Sequence, residues 1–164
     1  MNSMKIVVDV ELFAENVVKE MAFCNPFYCV GASFKPPHEE SWCSTSTRNQ
    51  NRWLTSNLHK IQWDSGKHDY CEMFQFVRYI KVDDATYYAK GLEKCELLAN
   101  LFRVEFVNLE DMGCPTVNQL QFGNGGGGVQ IACDSYPQIH NGNAEHCAQQ
   151  KARLFADWMQ MQQQ

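Results

Sequence analysis

Cysteine and histidine side chains recur at even intervals late in the chain, in CDSYPQIHNGNAEHC, residues 133–147. Cys133, His140 and Cys147 follow the pattern Cys-x6-His-x6-Cys, and His146 offers a second imidazole. Thiolate and imidazole together are the ligands that zinc prefers. The spacing is looser than that of a zinc finger, so two buried cysteines beside a loop histidine are the alternative interpretation.

Two carboxylates lie in the apolar segment VVDVE, at Asp9 and Glu11. Residues two apart in a strand point to the same face, so a strand here places both acids side by side. Two like charges among apolar residues need a cation or a proton between them. The pair therefore indicates a metal site for phosphoryl chemistry. The alternative is a solvated strand face without a catalytic role.

Other polar residues could do acid–base work, but ordinary surface roles explain them better. Glu93 and Glu96 lie among lysines in KGLEKCELL, where Glu–Lys pairing on a solvated helix face is expected. The segment HKIQWDSGKHD has the composition of a polar turn and contains four candidates: His59, Asp64, His68 and Asp69.

Aromatic residues are interleaved with basic ones along two predicted helices. Core packing explains most of these aromatics, and a strand-binding edge that stacks bases is the alternative. The aromatic residues are Trp53, Phe74, Phe76 and Tyr79, and the basic residues beside them are Arg48, Arg52 and Lys60.

Hydrophobic patterning predicts the elements that must position these side chains, in the order β-β-β-α-α-β-α-β-α. Three antiparallel strands followed by parallel strands with crossover helices make a mixed five-stranded α/β sheet with helices on both faces. The predicted strands are 5–13, 16–24, 27–34, 85–90 and 104–109, and the predicted helices are 48–61, 70–81, 91–102 and about 144–161, with a short helical piece after Cys114-Pro115.

Composition predicts one globular domain of 164 residues with a Gly-rich loop at about 122–128 and a frayed tail at about 160–164. The net charge of −5 does not by itself favour a nucleic-acid-binding surface. The N-terminal apolar run is broken by Asp9 and Glu11, which a signal peptide would not contain, and no window approaches about 18 apolar residues. We therefore expect a soluble intracellular chain, cytoplasmic or nuclear, with its eight cysteines reduced.

The order of these features resembles the DEDD-type 3′–5′ exonucleases, which have an RNase H-like fold. VVDVE is similar to their first motif, YYAKGLEKCELLANLF to the second, VEFVNLEDM to the strand that follows, and HCAQQKARLFADWM to the final helix. The resemblance implies Asp9 and Glu11 as catalytic residues that bind Mg²⁺ or Mn²⁺. However, Lys94 and Cys95 stand where the second motif has an aspartate, and Cys147 stands at the last one. Mg²⁺ prefers oxygen ligands, so these departures disfavour an active exonuclease.

One branch of this fold, the Maelstrom domain, has a Glu-Cys-His-Cys zinc site in place of the acids. By position, the resemblance implies Glu11, Cys133, His140 and Cys147 as ligands of a structural zinc. It also implies a domain that binds or cuts single-stranded nucleic acid, RNA more than DNA, and that does not act on membranes. The alternatives are an active divalent-metal-dependent exonuclease, in which Glu93 or Glu96 assists the first two acids, and a catalytically dead module for protein partners.

Overall fold

Five strands form one mixed sheet in the computed structural model, which describes residues 3–123 and 131–163. The strands are β1 Met4–Phe13, β2 Val17–Cys24, β3 Cys29–Ser33, β4 Ala85–Ala89 and β5 Phe106–Asn108, in the order β3-β2-β1-β4-β5. β1–β2 and β2–β3 pair antiparallel, whereas β1–β4 and β4–β5 pair parallel. The predicted α/β architecture with a mixed five-stranded sheet is confirmed.

Helices cover both faces of this sheet because β1 is apolar on each side. Five helices are present in the described ranges: α1 Thr45–Leu54, α2 Met73–Ile80, α3 Leu92–Phe102, α4 Val117–Phe122 and α5 Ala148–Met161. Ile6, Val8 and Val10 of β1 pack in one core with α2 and α3. Val7 faces the other way, into a core with Phe155 of α5. Asp9 and Glu11 share the α5 face, since alternate strand residues point to the same side.

The boundaries of two predicted helices differ from the expected ones. α1 begins at Thr45, where the Ser44 side chain accepts a hydrogen bond from the Thr47 N–H. It then widens into a π-helical turn, Thr55–His59, which ends at Lys60 in the left-handed conformation. At the C-terminus, Ala144–His146 is a separate 3₁₀ turn, because Cys147 is extended and caps α5 with its sulfur.

Core packing was predicted for most of the four aromatic side chains on α1 and α2, but three of them are exposed: Trp53 at 60%, Phe74 at 55% and Tyr79 at 62%. The prediction of eight reduced cysteines is wrong for Cys24 and Cys29, which form a disulfide. These two residues are directly opposite each other in the β2–β3 pairing, and that register brings their sulfurs together.

The expected Gly-rich loop falls mostly outside the described residues, and α5 continues through Met161 into the segment expected to fray. Within residues 3–123 and 131–163, the structure contains no helix with the length and apolar character needed to cross a bilayer.

Candidate metal centre

Four metal-ligating side chains from distant parts of the chain meet between β2 and the start of α5. They are Glu20 of β2, Cys133 and His140 of the connecting loop, and Cys147, the N-cap of α5. One ligand atom of each lies within 4.8 Å of those of the other three, and all four residues are buried. The structure thus brings together three of the predicted zinc ligands.

The distances between these ligand atoms suit a tetrahedral zinc ion. Cys133 Sγ lies 3.0 Å from Glu20 Oε2 and 3.6 Å from His140 Nδ1. Glu20 Oε1 lies 3.6 Å from His140 Nδ1, and Cys147 Sγ lies 3.8 Å from Glu20 Oε2. Zinc bonds of about 2.0–2.3 Å at tetrahedral angles require separations of about 3.3–3.8 Å between ligand atoms. Three of the four distances lie in this range, and the 3.0 Å contact between Cys133 and Glu20 must lengthen when zinc binds.

The imidazole of His140 is oriented by a hydrogen bond on its far side. Its Nε2 donates to the backbone carbonyl of His59 at 2.7 Å, which leaves Nδ1 facing the cluster. Such outer partners fix the tautomer and ring orientation of metal-binding histidines. The Tyr136 ring packs edge-on against the imidazole at 5.4 Å, and Gln150 holds the loop by donating to the His140 carbonyl at 2.7 Å.

Backbone N–H groups at the start of α5 favour negative charge in the cluster. The Gln150 N–H donates to Cys147 Sγ at 3.4 Å, and the Ala148 N–H donates to Glu20 Oε1 at 2.8 Å. The Tyr136 N–H donates to Cys133 Sγ at 3.3 Å. A helix N-terminus and amide donors stabilise thiolates and carboxylates, which are the forms that bind metal.

The pKa values in the cluster reflect burial and mutual hydrogen bonding. Burial raises the pKa of Glu20 to about 8. The hydrogen bond with Cys147 lowers the pKa of Cys133 to about 4, and the same bond raises that of Cys147. Burial alone would lower the pKa of His140, but hydrogen bonds to Cys133 and Glu20 raise it to about 10. A metal ion that takes these ligands at neutral pH must therefore displace protons from Glu20, His140 and Cys147.

Glu11 was predicted as the carboxylate ligand, and the structure places Glu20 there instead. The two residues are paired directly across β1 and β2, so both point toward α5. The Glu11 carboxylate contacts the Lys151 ammonium at 2.6 Å, whereas Glu20 lies beside the cysteines. Sequence analysis missed Glu20, although a charged residue inside the apolar strand VVKEMAFC was an available clue.

Asp9 and Glu11 do lie side by side and buried, but lysines neutralise them. Lys151 Nζ is 3.2 Å from Asp9 Oδ2 and 2.6 Å from Glu11 Oε1. Lys94 Nζ donates to Asp9 Oδ1 at 2.7 Å. The two carboxylates raise the pKa of Lys151 against the effect of burial, so its ammonium stays charged. The solvated-face alternative for this pair is therefore wrong.

The other side chains predicted to do chemistry lie outside both the metal-ligating cluster and the Asp9–Glu11 pair with its lysines. Glu93 and Glu96 are exposed on α3. His146 bonds through Nδ1 to the Leu58 carbonyl, so His140 is the imidazole that faces the sulfurs. In the polar turn, His59 packs on the Phe13 ring, whereas the other three predicted acid–base residues, Asp64, His68 and Asp69, are partly or fully exposed. Among the described residues, the four side chains predicted in this turn do not come together as an acid–base cluster.

No family model, no curated protein and no solved structure matches this chain.

Proposed function

We propose that the chain is a zinc-stabilised RNase H-like domain that binds single-stranded nucleic acid, RNA in preference to DNA, without metal-dependent cleavage. The observation that carries this proposal is the buried Glu20–Cys133–His140–Cys147 cluster, with its ligand atoms within 4.8 Å of one another. The mixed sheet, with three antiparallel strands and two parallel pairings, agrees with the fold that the exonuclease resemblance implies.

Zinc in this cluster is structural. Four protein ligands complete a tetrahedral shell, so no open position remains for a catalytic water. The cluster joins β2 to the start of α5 through the long connection that contains Cys133 and His140. Zinc bound here contributes its binding free energy directly to folding.

Exposed aromatic side chains with an arginine among them lie on the Trp42 turn and on α1, and they form the proposed nucleic-acid interface. Trp42 is 74% exposed and stacks on the His38 ring, with the planes 9° apart. Trp53 of α1 is exposed beside Arg52, which reaches Glu40 next to the Trp42 turn at 3.8 Å. Exposed aromatic rings beside arginines are typical of surfaces that stack bases and follow a phosphate backbone.

The zinc loop holds this surface in place through two backbone contacts. His140 Nε2 donates to the carbonyl of His59, and His146 Nδ1 bonds to the carbonyl of Leu58. Both acceptors lie in the π-helical turn that directly continues α1. Removal of zinc should release His140, loosen this turn and weaken nucleic-acid binding.

The carboxylate pair argues against the alternative of an active divalent-metal exonuclease. Three oxygens of Asp9 and Glu11 face lysine ammonium groups at 2.6–3.2 Å. The alternative of a protein-interaction module remains an outcome of the binding test below.

The test is binding of a labelled single-stranded RNA of about 16 nucleotides, the upper end of site sizes on comparable folds. Loss of a stacking aromatic costs about 1–3 kcal/mol, so Trp53→Ala should weaken binding roughly 5- to 150-fold. Arg48→Ala and Arg52→Ala should each lower the slope of log affinity against log salt by about 0.7. A chelator that removes zinc should weaken binding in the wild-type chain.

Matched controls lie on α2, which also displays exposed aromatic and basic side chains. Arg78→Ala and Tyr79→Ala should leave RNA affinity unchanged, since neither residue belongs to the proposed surface. Absence of binding at low salt by the zinc-loaded chain would reject the nucleic-acid role and favour protein partners. Cleavage of the RNA that depends on Mg²⁺ and on Asp9 would reject the non-catalytic part of the proposal.

A further inference from the structure

The Asp9 and Glu11 carboxylates are buried side by side, as ligands of a metal ion often are, but the cation between them is the Lys151 ammonium. Asp9 is 1% exposed and Glu11 2% exposed. Asp9 Oδ2 and Glu11 Oε1 have no hydrogen-bond partner of good geometry among the described residues. The Lys151 ammonium meets both oxygens only as an ion pair, 3.2 and 2.6 Å away. Lys151 thus occupies the space between two carboxylates that a bridging metal ion would use.

Divalent ions do not fit this site as it stands. Mg²⁺ requires about six oxygen ligands at about 2.0–2.1 Å in octahedral geometry. Lys151 occupies one oxygen of each carboxylate, and Lys94 occupies the second oxygen of Asp9. A divalent ion in the same space would also lie within a few ångströms of ammonium charges of its own sign.

The charges in the cluster balance without an external ion. Asp9 and Glu11 contribute two negative charges, and Lys94 and Lys151 contribute two positive charges. Buried charges are retained only when paired, and loss of one partner is strongly destabilising. Loss of Lys151 would leave a net negative, buried site with room at its centre.

We propose that Lys94 and Lys151 are built-in counter-ions that exclude divalent cations from Asp9 and Glu11, and that removal of Lys151 turns this pair into a divalent-cation site. The inference depends neither on zinc in the other cluster nor on nucleic-acid binding. It assigns to Lys151 the role of a permanent cation that chelators cannot remove and that Mg²⁺ does not replace.

The experiment uses Mn²⁺ alone as the probe, added to the zinc-loaded chain. Mn²⁺ accepts carboxylate ligands, is followed directly by electron paramagnetic resonance, and does not displace zinc from thiolates. Wild-type protein should show no saturable binding. Lys151→Ala should bind one Mn²⁺ per chain saturably and should melt at a higher temperature when Mn²⁺ is present.

The matched control is the double variant Asp9→Asn/Lys151→Ala, which should bind no more Mn²⁺ than wild type. If Lys151→Ala folds only when Mn²⁺ is added and the double variant shows no such rescue, the exchange of ammonium for metal is supported. A Lys151→Ala protein that fails to fold or fails to bind in the presence of Mn²⁺ would overturn the proposal. Saturable Mn²⁺ binding by wild type that is lost in Asp9→Asn would overturn it as well.

Discussion

Replacement by glutamine should lower zinc affinity at Glu20 but not at Glu11, although the two glutamates are paired across β1 and β2. Glu20→Gln removes the charge but keeps the shape, and it leaves a carbonyl oxygen that can still accept the Ala148 N–H. Structural zinc binds with about 10–16 kcal/mol, so one ligand of four accounts for about 3 kcal/mol. We therefore expect Glu20→Gln to lower zinc affinity by about 100-fold.

Glu11→Gln is the matched control, because Glu11 lies directly opposite Glu20 on the same face of the sheet. It should leave zinc affinity within about twofold of wild type, since the Glu11 carboxylate contacts the Lys151 ammonium and not the cysteines. Its own effect is on stability, because Lys151 loses one of its two carboxylate partners. Zinc affinity is measured at neutral pH by competition with a chromophoric chelator, on protein shown to be folded. Equal loss of zinc in both variants, or in neither, would refute the assignment of Glu20.

Three further predictions concern the stability of the fold. Burial lowers the pKa of Lys19 from 10.5 to about 8, so between these pH values the unfolded state binds more protons than the folded state. As the pH rises from about 8 to 10.5, the unfolding free energy of wild type should therefore increase by up to about 3 kcal/mol relative to that of Lys19→Met. Urea denaturation at several pH values measures this difference. Phe155→Ala should lower the free energy of unfolding by about 3–5 kcal/mol, because Phe155 is buried in the core beneath α5. Phe74→Ala, on the exposed side of α2, should change it by less than about 0.5 kcal/mol. Equal decreases in melting temperature for the two variants would contradict this difference. Gly31→Ala places a Cβ 2.7 Å from Gln149 Oε1, so it should displace that amide and lower the free energy of unfolding by about 1 kcal/mol. Chemical denaturation measures this change. An unchanged denaturation midpoint would show that the Gln149 side chain moves aside at no cost.

Three residues of the metal-ligating cluster could be predicted from the sequence because their information is local. Cys133, His140 and Cys147 lie within one short segment, and their residue types are specific to zinc. The fourth ligand depends on strand register, which residue types do not determine. Glu11 and Glu20 are equivalent in type, position on a strand and direction, and only the placement of α5 decides which one meets the sulfurs.

Helix periodicity predicts that Lys151 lies on the buried face of α5, whereas amino-acid composition does not. The buried stripe of α5 recurs at intervals of three and four residues, and Lys151 lies on it beside Ala152 and Phe155. A lysine on a buried stripe requires a carboxylate partner, and VVDVE supplied two. The pairing itself could not be predicted, because it needs the packing of α5 across β1.

The strands and the helices were predictable from apolar periodicity, whereas the helix ends were not. α1 continues into a π-helical turn that ends at Lys60, which has a left-handed backbone (φ 62°). Residue preferences alone place neither a π turn nor a left-handed lysine. Contacts from the zinc loop to the carbonyls of Leu58 and His59 supply part of what holds this turn.

The wide separation of the four cluster residues along the chain also determines when this cluster can form during synthesis. Glu20 precedes Cys147 by 127 residues. At about 5–20 residues per second, β2 leaves the ribosome roughly 6–25 s before its last ligand is made. During that interval the first hairpin exposes its α5-facing surface, with Asp9 and Glu11 still lacking Lys151. The hairpin therefore stays uncovered on this face until α5 has been synthesised and can pack against it.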